Sequence, residues 1–393
     1  MAKKSYIGVN NVARKVTKWY IGVNNVARKV KKAYIGVGGV ARPFTTSEGV
    51  EYYGRTIDLS EAKYFLAGAS VGNYAVFAGG QTGVSSYSNY VEAFDASLTK
   101  STLRTTAAGL QFSKCRLTGG SVGNYAVFAG GWGGTNATSS TRVEAFDTSL
   151  TKKTPTAMTN ARFDMANASV GNYTLFAGGY DNSGTYYSTI DAYSSGLGRK
   201  GTVLSSGRSN VAGASVGNYA LFAGGYTIDS TTHTPSWYST VDAYNASLVK
   251  STCTSLSTSK ASVCSASVGN YAIFAGGGGG TNNTIYSNVD AYNASLVRST
   301  PVALSVNRSG GIGISAGKYA LFGGGSVSSS ASPAVDIYDS SLVRSTTTDL
   351  SVARSRLAGA SVGNYAIFAG GYNSGTAYAN VTAYANVDVY IIN

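Results

Sequence analysis

Charge, histidine and cysteine are all scarce in this 393-residue chain, and each scarcity removes a class of function. Charged residues are 12% of the total, which fits many short strands and tight turns better than helices. The single histidine, His233, cannot build a multi-imidazole metal centre, and a histidine-based triad would need a partner set around it. Cys115, Cys253 and Cys264 are odd in number, with neither CxxC nor histidine spacing. Buried free thiols are therefore expected, not a disulfide framework or a zinc site. No apolar run is long enough to span a bilayer. The opening Met1–Asn10 is too short and polar for a signal-peptide core, so synthesis in the cytosol without a signal peptide is expected. Phosphate loops, dinucleotide fingerprints and calcium loops are missing as well, so no cofactor and no metal are expected.

What the chain does have is repetition. Ser-Val-Gly-Asn-Tyr begins at Ser70, Ser121, Ser169, Ser215, Ser267 and Ser361, with a variant, Ser-Ala-Gly-Lys-Tyr, at Ser315. The seven copies lie 46 to 52 residues apart, the mark of one supersecondary unit repeated. Each is followed by an apolar run and Gly-Gly, as in Ala75-Val76-Phe77-Ala78-Gly79-Gly80. A variable stretch and a phrase such as Val241-Asp242-Ala243-Tyr244 come next. Each unit reads as four short strands, the first two joined at Gly-Asn by a two-residue hairpin turn. The second strand is apolar on both faces, as a sheet covered on both sides requires. Asp58–Tyr74 aligns without a gap with Asp349–Tyr365. At the far end, Val387–Tyr390 matches the third-strand phrase better than Val381–Tyr384, because it carries the acid. The last unit thus lacks a fourth strand, which the segment around Thr56–Ala62 is expected to supply, closing a ring.

An apolar run, Gly-Gly and then a third-strand aromatic together resemble the Kelch repeat, over residues 56–393. The resemblance implies an all-β fold, a seven-bladed Kelch-like β-propeller closed by an N-terminal strand. The Trp that opens the fourth strand in that family is missing from every unit, so packing between blades must differ there.

A second repeat, of period 14, precedes the first. Tyr6–Val16 recurs as Tyr20–Val30 and, weakened, as Tyr34–Arg42. Asn-Asn or Gly-Gly between β-prone runs reads as short basic β-hairpins. Residues 1–43 hold ten Lys/Arg and no acid, whereas the rest of the chain sets 21 bases against all 18 acids. Single hairpins are not stable alone in water, so these are expected to fold onto a partner. Arg14, Lys15, Arg28, Lys29 and Arg42 are the expected docking residues. The Tyr-Ile-Gly-Val repeat resembles segments of phage and prophage tail-associated structural proteins of Gram-positive bacteria. That resemblance implies an anchor (1–43), a linker (44–55), incorporation in a virion or phage-like particle, and other tail or baseplate proteins as partners. A homo-oligomer through these repeats stays open, and neither membrane insertion nor nucleic-acid binding is expected.

Charges that repeat are expected to be scaffold. Glu92, Glu144, Asp191, Asp242, Asp290, Asp336 and Asp388 lie in the third strands, and Lys63, Lys114, Arg162, Arg208, Lys260, Arg308 and Arg354 lie seven residues before each repeated Ser. Each acid is expected to pair with a base or with backbone groups at a junction. Lys100, Lys152, Arg199, Lys250, Arg298 and Arg344 follow the third strands. They are expected to ring one face as solvated charges for solubility, the alternative being an anion site, such as one for a phosphate-bearing polymer.

The variable stretches after Gly-Gly mix aromatic plates with small hydrogen-bonding groups, as a paratope does. Their expected binding residues are Tyr87, Tyr90, Trp132, Tyr180, Asp181, Tyr187, Tyr226, His233, Trp237, Tyr372 and Tyr378. The expected function is non-enzymatic recognition of a cell-surface glycan or protein. A purely structural, decorating role is the alternative. A glycan-active enzyme would need a carboxylate pair, for which Asp181 and Asp229, in neighbouring loops, are the candidates.

Overall fold

The computed structural model describes residues 6–9, 12–15, 20–23, 26–29, 33–37, 40–44 and 49–393, except 135, 281–283, 329 and 375–380. Before residue 49, and at 374 and 381, it describes the backbone alone. Among the described residues every element is a strand, and no helix is long and apolar enough to cross a membrane.

Seven antiparallel sheets of four strands account for the body of the chain. Sheet one runs in spatial order from Ala67–Val71 through Tyr74–Ala78 and Val91–Asp95 to Lys100–Leu103. Val71 pairs with Tyr74 across Gly72-Asn73, with Gly72 at φ 51°, the left-handed backbone a two-residue turn demands. The Gly79-Gly80 pair is required by a close approach: a Cβ on Gly79 would lie 2.5 Å from the Lys114 carbonyl oxygen. The order recurs in six further sheets, whose first strands open at Thr118, Ala166, Ala212, Cys264, Ile312 and Ala358.

Sheet seven takes its outer strand from the other end of the chain. Ala358–Val362, Tyr365–Ala369 and Val387–Ile392 are completed by Val50–Arg55. Val387–Ile392 is the third strand, while Val381–Ala383 pairs with Tyr372–Ser374 in the preceding loop. The closing strand therefore lies in the segment expected to be linker, and not at Thr56–Ala62. The reason lies in the repeat itself. In sheet six the outer strand Arg344–Thr346 precedes Asp349-Leu350-Ser351, so the equivalent strand must precede Asp58-Leu59-Ser60. The Asp-Leu-Ser segment serves the acids instead, because the Ser351 and Ser60 N–H groups donate to Asp388 and Glu92.

The core is a cycle of junctions. Phe77 and Phe94 of sheet one meet edge to face and pack into sheet seven around Ile367 and Val389. Equivalent pairs, from Phe128/Phe146 to Phe368/Tyr390, fill the other six junctions. Backbone bonds close the same cycle. The N–H groups of Phe65, Arg116, Asp164, Asn210, Ser262, Gly310 and Arg356 each donate to the equivalent carbonyl of the sheet before, at 2.8 to 3.2 Å. Phe65 donates to Arg356, which completes seven bonds in a ring. The repeated serines add a second belt: Ser70 Oγ donates to Ser361 O and Ser121 Oγ to Ser70 O, each at 2.7 Å.

Every repeated acid is buried on its repeated base, at 2.7 to 3.3 Å from Lys63–Glu92 round to Arg354–Asp388. Each acid also accepts a backbone N–H, at 2.6 to 3.3 Å, from Ser60, Gln111, Thr159, Ser205, Ser257, Ser305 or Ser351. A buried charge needs such pairing on both counts.

Candidate functional site

The seven residues that close the backbone ring line one axial cavity of about 220 Å³. All seven have φ between 50° and 63°, and only Gly310 among them is a glycine. A side chain in this region costs of order 1–3 kcal/mol, a cost glycine would avoid. Phe65, Arg116, Asp164, Asn210, Ser262 and Arg356 are therefore held there against backbone preference. A further cavity, lined by the repeated serines, follows along the same first strands.

The residue before each ring member bridges to the residue just after Gly-Gly: Tyr64 to Gln81, Cys115 to Trp132, Phe163 to Tyr180, Ser209 to Tyr226, Ala261 to Gly278, Ser309 to Ser326 and Ser355 to Tyr372. The variable loops thus begin at the mouth of this cavity, and Trp132, Tyr180, Tyr226 and Tyr372 occupy one equivalent position around it. Their rings form an arc. Tyr87 meets Trp132 at 5.3 Å, and Trp132 meets Phe163 at 6.5 Å. Phe163 meets Tyr180 at 4.3 Å, and Tyr180 stacks on Tyr186 at 5.4 Å. Tyr186 meets Tyr226 at 6.1 Å, and Tyr226 meets Trp237 at 5.4 Å. On the other side Tyr372 packs on Tyr64 at 4.8 Å.

Arg116 is the polar centre of the aromatic side. It pairs with Asp164 at 3.0 Å, donates to the Tyr180 hydroxyl at 3.2 Å and lies over the Phe65 ring at 4.5 Å. Burial would lower its pKa, but Asp164 and Tyr180 outweigh that and raise it. Burial, reinforced by Asp164, pushes the Tyr180 hydroxyl up to about 12. Arg356 also lies over the Phe65 ring, at 5.4 Å.

Other expected site residues lie elsewhere. Tyr90 faces Lys63 and Arg104, at 5.9 and 5.1 Å, within the sheet-one wall. Tyr187 donates to Asp181 at 2.8 Å, and Asp181 also accepts from Ser183 and Thr185, closing its own loop. Burial would raise the Asp181 pKa; these donors together hold it below the usual carboxylate range. Asp229 caps Thr231 and Thr232 in the same way, so both carboxylates proposed as a catalytic pair are used as loop caps. His233 is exposed at the tip of that loop, its backbone N–H donating to the Asp229 carbonyl. Tyr378 lies outside the described residues.

The six cations expected to ring one face each have an inward partner, although Arg199 and Lys250 stay exposed. Lys100, Arg199, Lys250, Arg298 and Arg344 approach the buried acid of their own sheet at 2.8 to 3.9 Å. Lys152 is held by the Thr106 and Gly109 carbonyls. The fourth strand starts opposite the third-strand aromatic, as Lys100 does opposite Phe94, so a long side chain reaches back to the acid two residues away. In sheet seven Tyr52 takes this place, its hydroxyl donating to Asp388 at 2.7 Å. The basic residues of the first segment lie on hairpin strands, with Arg14 opposite Ile7, Lys15 opposite Tyr6, Arg28 opposite Ile21, Lys29 opposite Tyr20 and Arg42 opposite Ile35.

No family model matches the chain, and no curated protein matches it either. Among the described residues no group of three or more His, Cys, Asp or Glu side chains stands where it could hold a metal ion. The mouth residues Phe65, Arg116, Asp164, Asn210, Ser262 and Arg356 were not anticipated from sequence. Their signal is there: five residues before each repeated Ser, and two after a Lys or Arg that recurs in every unit, the residue type changes almost every time.

Proposed function

We propose that the chain is a non-enzymatic recognition protein. In this reading the seven sheets are the blades of a closed, Kelch-like β-propeller. Its mouth binds a cell-surface glycan or protein, and its hairpins dock it to a phage or phage-derived particle. The seven junction clusters and the closed cycle of backbone bonds support the propeller. One observation carries the recognition role: in a chain that repeats itself, the left-handed ring position keeps varied side chains where glycine would be cheaper, beside an arc of aromatic plates. The docking role rests on three hairpins of matching register, each too small to be stable alone and each offering strand edges to a partner.

The test is capture of the labelled full chain by a panel of intact Gram-positive cells. Capture by at least one strain is expected, with most of it lost in Trp132→Ala and Arg116→Gln. If these variants bind as well as the parent, the mouth is not the site. If no cells bind while isolated tail proteins do, the decorating role replaces recognition.

A further inference from the structure

Resting on that recognition reading, we propose that the ligand is an anionic glycan: one acidic sugar unit sits in the axial cavity with its carboxylate or phosphate on Arg356, and the chain leaves over sheets five and six.

Arg356 carries the first half. The repeated arginines are each spent on a buried acid, and Arg116 is paired with Asp164. Among the described residues neither a carboxylate nor a hydrogen-bond acceptor partners the Arg356 guanidinium. Its place is built nonetheless. Phe65 supports one side, and a Cβ on Gly310 would lie 3.0 Å from its Nε and Cζ, so that glycine leaves the space it fills. Two guanidinium groups and one carboxylate give the cavity a surplus positive charge, and a planar guanidinium suits a bidentate oxyanion. Ser262 Oγ donates to Asn210 Oδ1 and Thr118 Oγ1 to the Met165 carbonyl, which leaves the Asn210 amide N–H groups and the hydroxyl lone pairs for sugar hydroxyls. At about 220 Å³ the space is below the roughly 300 Å³ at which drug-sized sites begin, so it suits a single sugar unit.

The rim carries the second half. Trp132, Tyr180, Tyr226 and Tyr372 stand at one equivalent position, and Gln81 of sheet one is paired there with Tyr64 and Tyr87, but sheets five and six have Gly278 and Ser326 there. Gly278 is not required by its backbone: its φ is not left-handed, and among the described residues a Cβ would meet nothing nearer than 3.6 Å. The absent side chain therefore reads as space kept open. Ala261 and Ser309, bridged to these residues, and Ile285 and Ala331, paired with them within the loops, carry no ring either, so among the described residues the wall of aromatic plates is interrupted over two neighbouring sheets.

Titration calorimetry on the full chain tests both halves. The probes are hexaglucuronate, phosphorylated hexaglucose, neutral hexaglucose and the single units glucuronic acid and glucose 6-phosphate. At least one anionic hexamer should bind about tenfold or more tighter than hexaglucose, and the better of the two identifies carboxylate or phosphate. Arg356→Gln should erase that preference. Gly278→Tyr should weaken the anionic hexamer about tenfold and leave the single units unchanged. Equal binding of charged and neutral hexamers, or a preference that survives Arg356→Gln, overturns the anion site. Hexamer binding untouched by Gly278→Tyr overturns the exit path. If no probe binds but cells are still captured and Trp132→Ala releases them, recognition stands and this inference alone falls. If neither probes nor cells bind, both fall.

Discussion

Arg354 and Arg356 stand two residues apart in the chain and belong to two different regions. Arg354 is fully buried, its Nη2 2.7 Å from Asp388. Arg356 is half-buried at the mouth, against an aromatic ring, with no acid paired to it among the described residues. The same two-residue step separates base from mouth residue in all seven sheets, from Lys63 and Phe65 onward. The wall position is always Lys or Arg; the mouth position is Phe, Arg, Asp, Asn, Ser, Gly or Arg. The contrast extends to backbone strain. Leu98, Leu150, Leu197, Leu248, Leu296 and Leu342 also have left-handed φ, but there the residue type repeats, as expected of a packing role. Within one chain, residues that recur with the fold hold the fold, and those that escape the recurrence are free to hold something else.

The wall should break first. Arg208→Met removes one partner of a buried ion pair and leaves Asp242 without its nearest cation. A loss of about 3–5 kcal/mol is expected, read as a fall in the urea midpoint. Arg356→Gln, two residues beyond a wall base, should change stability by no more than about 0.5 kcal/mol. Equal losses in the two variants would erase the distinction between wall and mouth. A smaller loss is expected at the seam where the chain ends meet. Tyr52→Phe deletes the hydroxyl that replaces the second cation on Asp388, at a cost of about 2 kcal/mol. Because Val50–Arg55 is the outer strand of sheet seven, protease sensitivity should rise first near residue 50.

Acid should weaken the wall by degrees. Burial would raise the Glu92 pKa, but Lys63 and the Ser60 donors outweigh it and hold it below the ordinary value of 4.5. Folded Glu92 then binds fewer protons than unfolded Glu92. Its contribution is complete above the unfolded pKa and is lost as pH falls through the lower folded one. Urea midpoints measured from about pH 6 to pH 3 should fall, and Glu92→Gln should flatten part of that slope. An unchanged slope would mean that this carboxylate does not titrate with unfolding.

Much of the wall was legible because it is written seven times. The spacing of Ser-Val-Gly-Asn-Tyr, the apolar second strand and the paired charges each reach the structure as read. Two things were not legible. Lys100 and its equivalents looked free because a sequence shows where a side chain starts, not that a buried carboxylate has a second oxygen within its reach. The closing strand was misplaced because Val50–Arg55 lacks the repeat's phrases; only its offset from Asp58-Leu59-Ser60 betrays it. The mouth was half legible. Aromatic loops were a readable signal, and Trp132, Tyr180, Tyr226 and Tyr372 do converge. The ring beneath them was hidden, because a position that varies among repeats looks like noise until the backbone bonds bring its seven copies together.

The smallest expected effect is also the sharpest separation of the two regions. Ser262 sits in the ring at φ 51°, a conformation glycine adopts without strain, and Gly310 already does so one sheet away. Ser262→Gly should leave stability within about 1 kcal/mol of the parent, because relief of strain opposes the extra entropy of an unfolded glycine. The backbone bonds it shares with Asn210 and Gly310 involve no side chain and should persist. Removing its hydroxyl nevertheless takes one hydrogen-bonding group from the cavity, so cell capture should weaken while the urea midpoint holds. A clear loss of stability would show that the ring side chains serve the fold, like the repeated leucines, and would dissolve the contrast between mouth and wall.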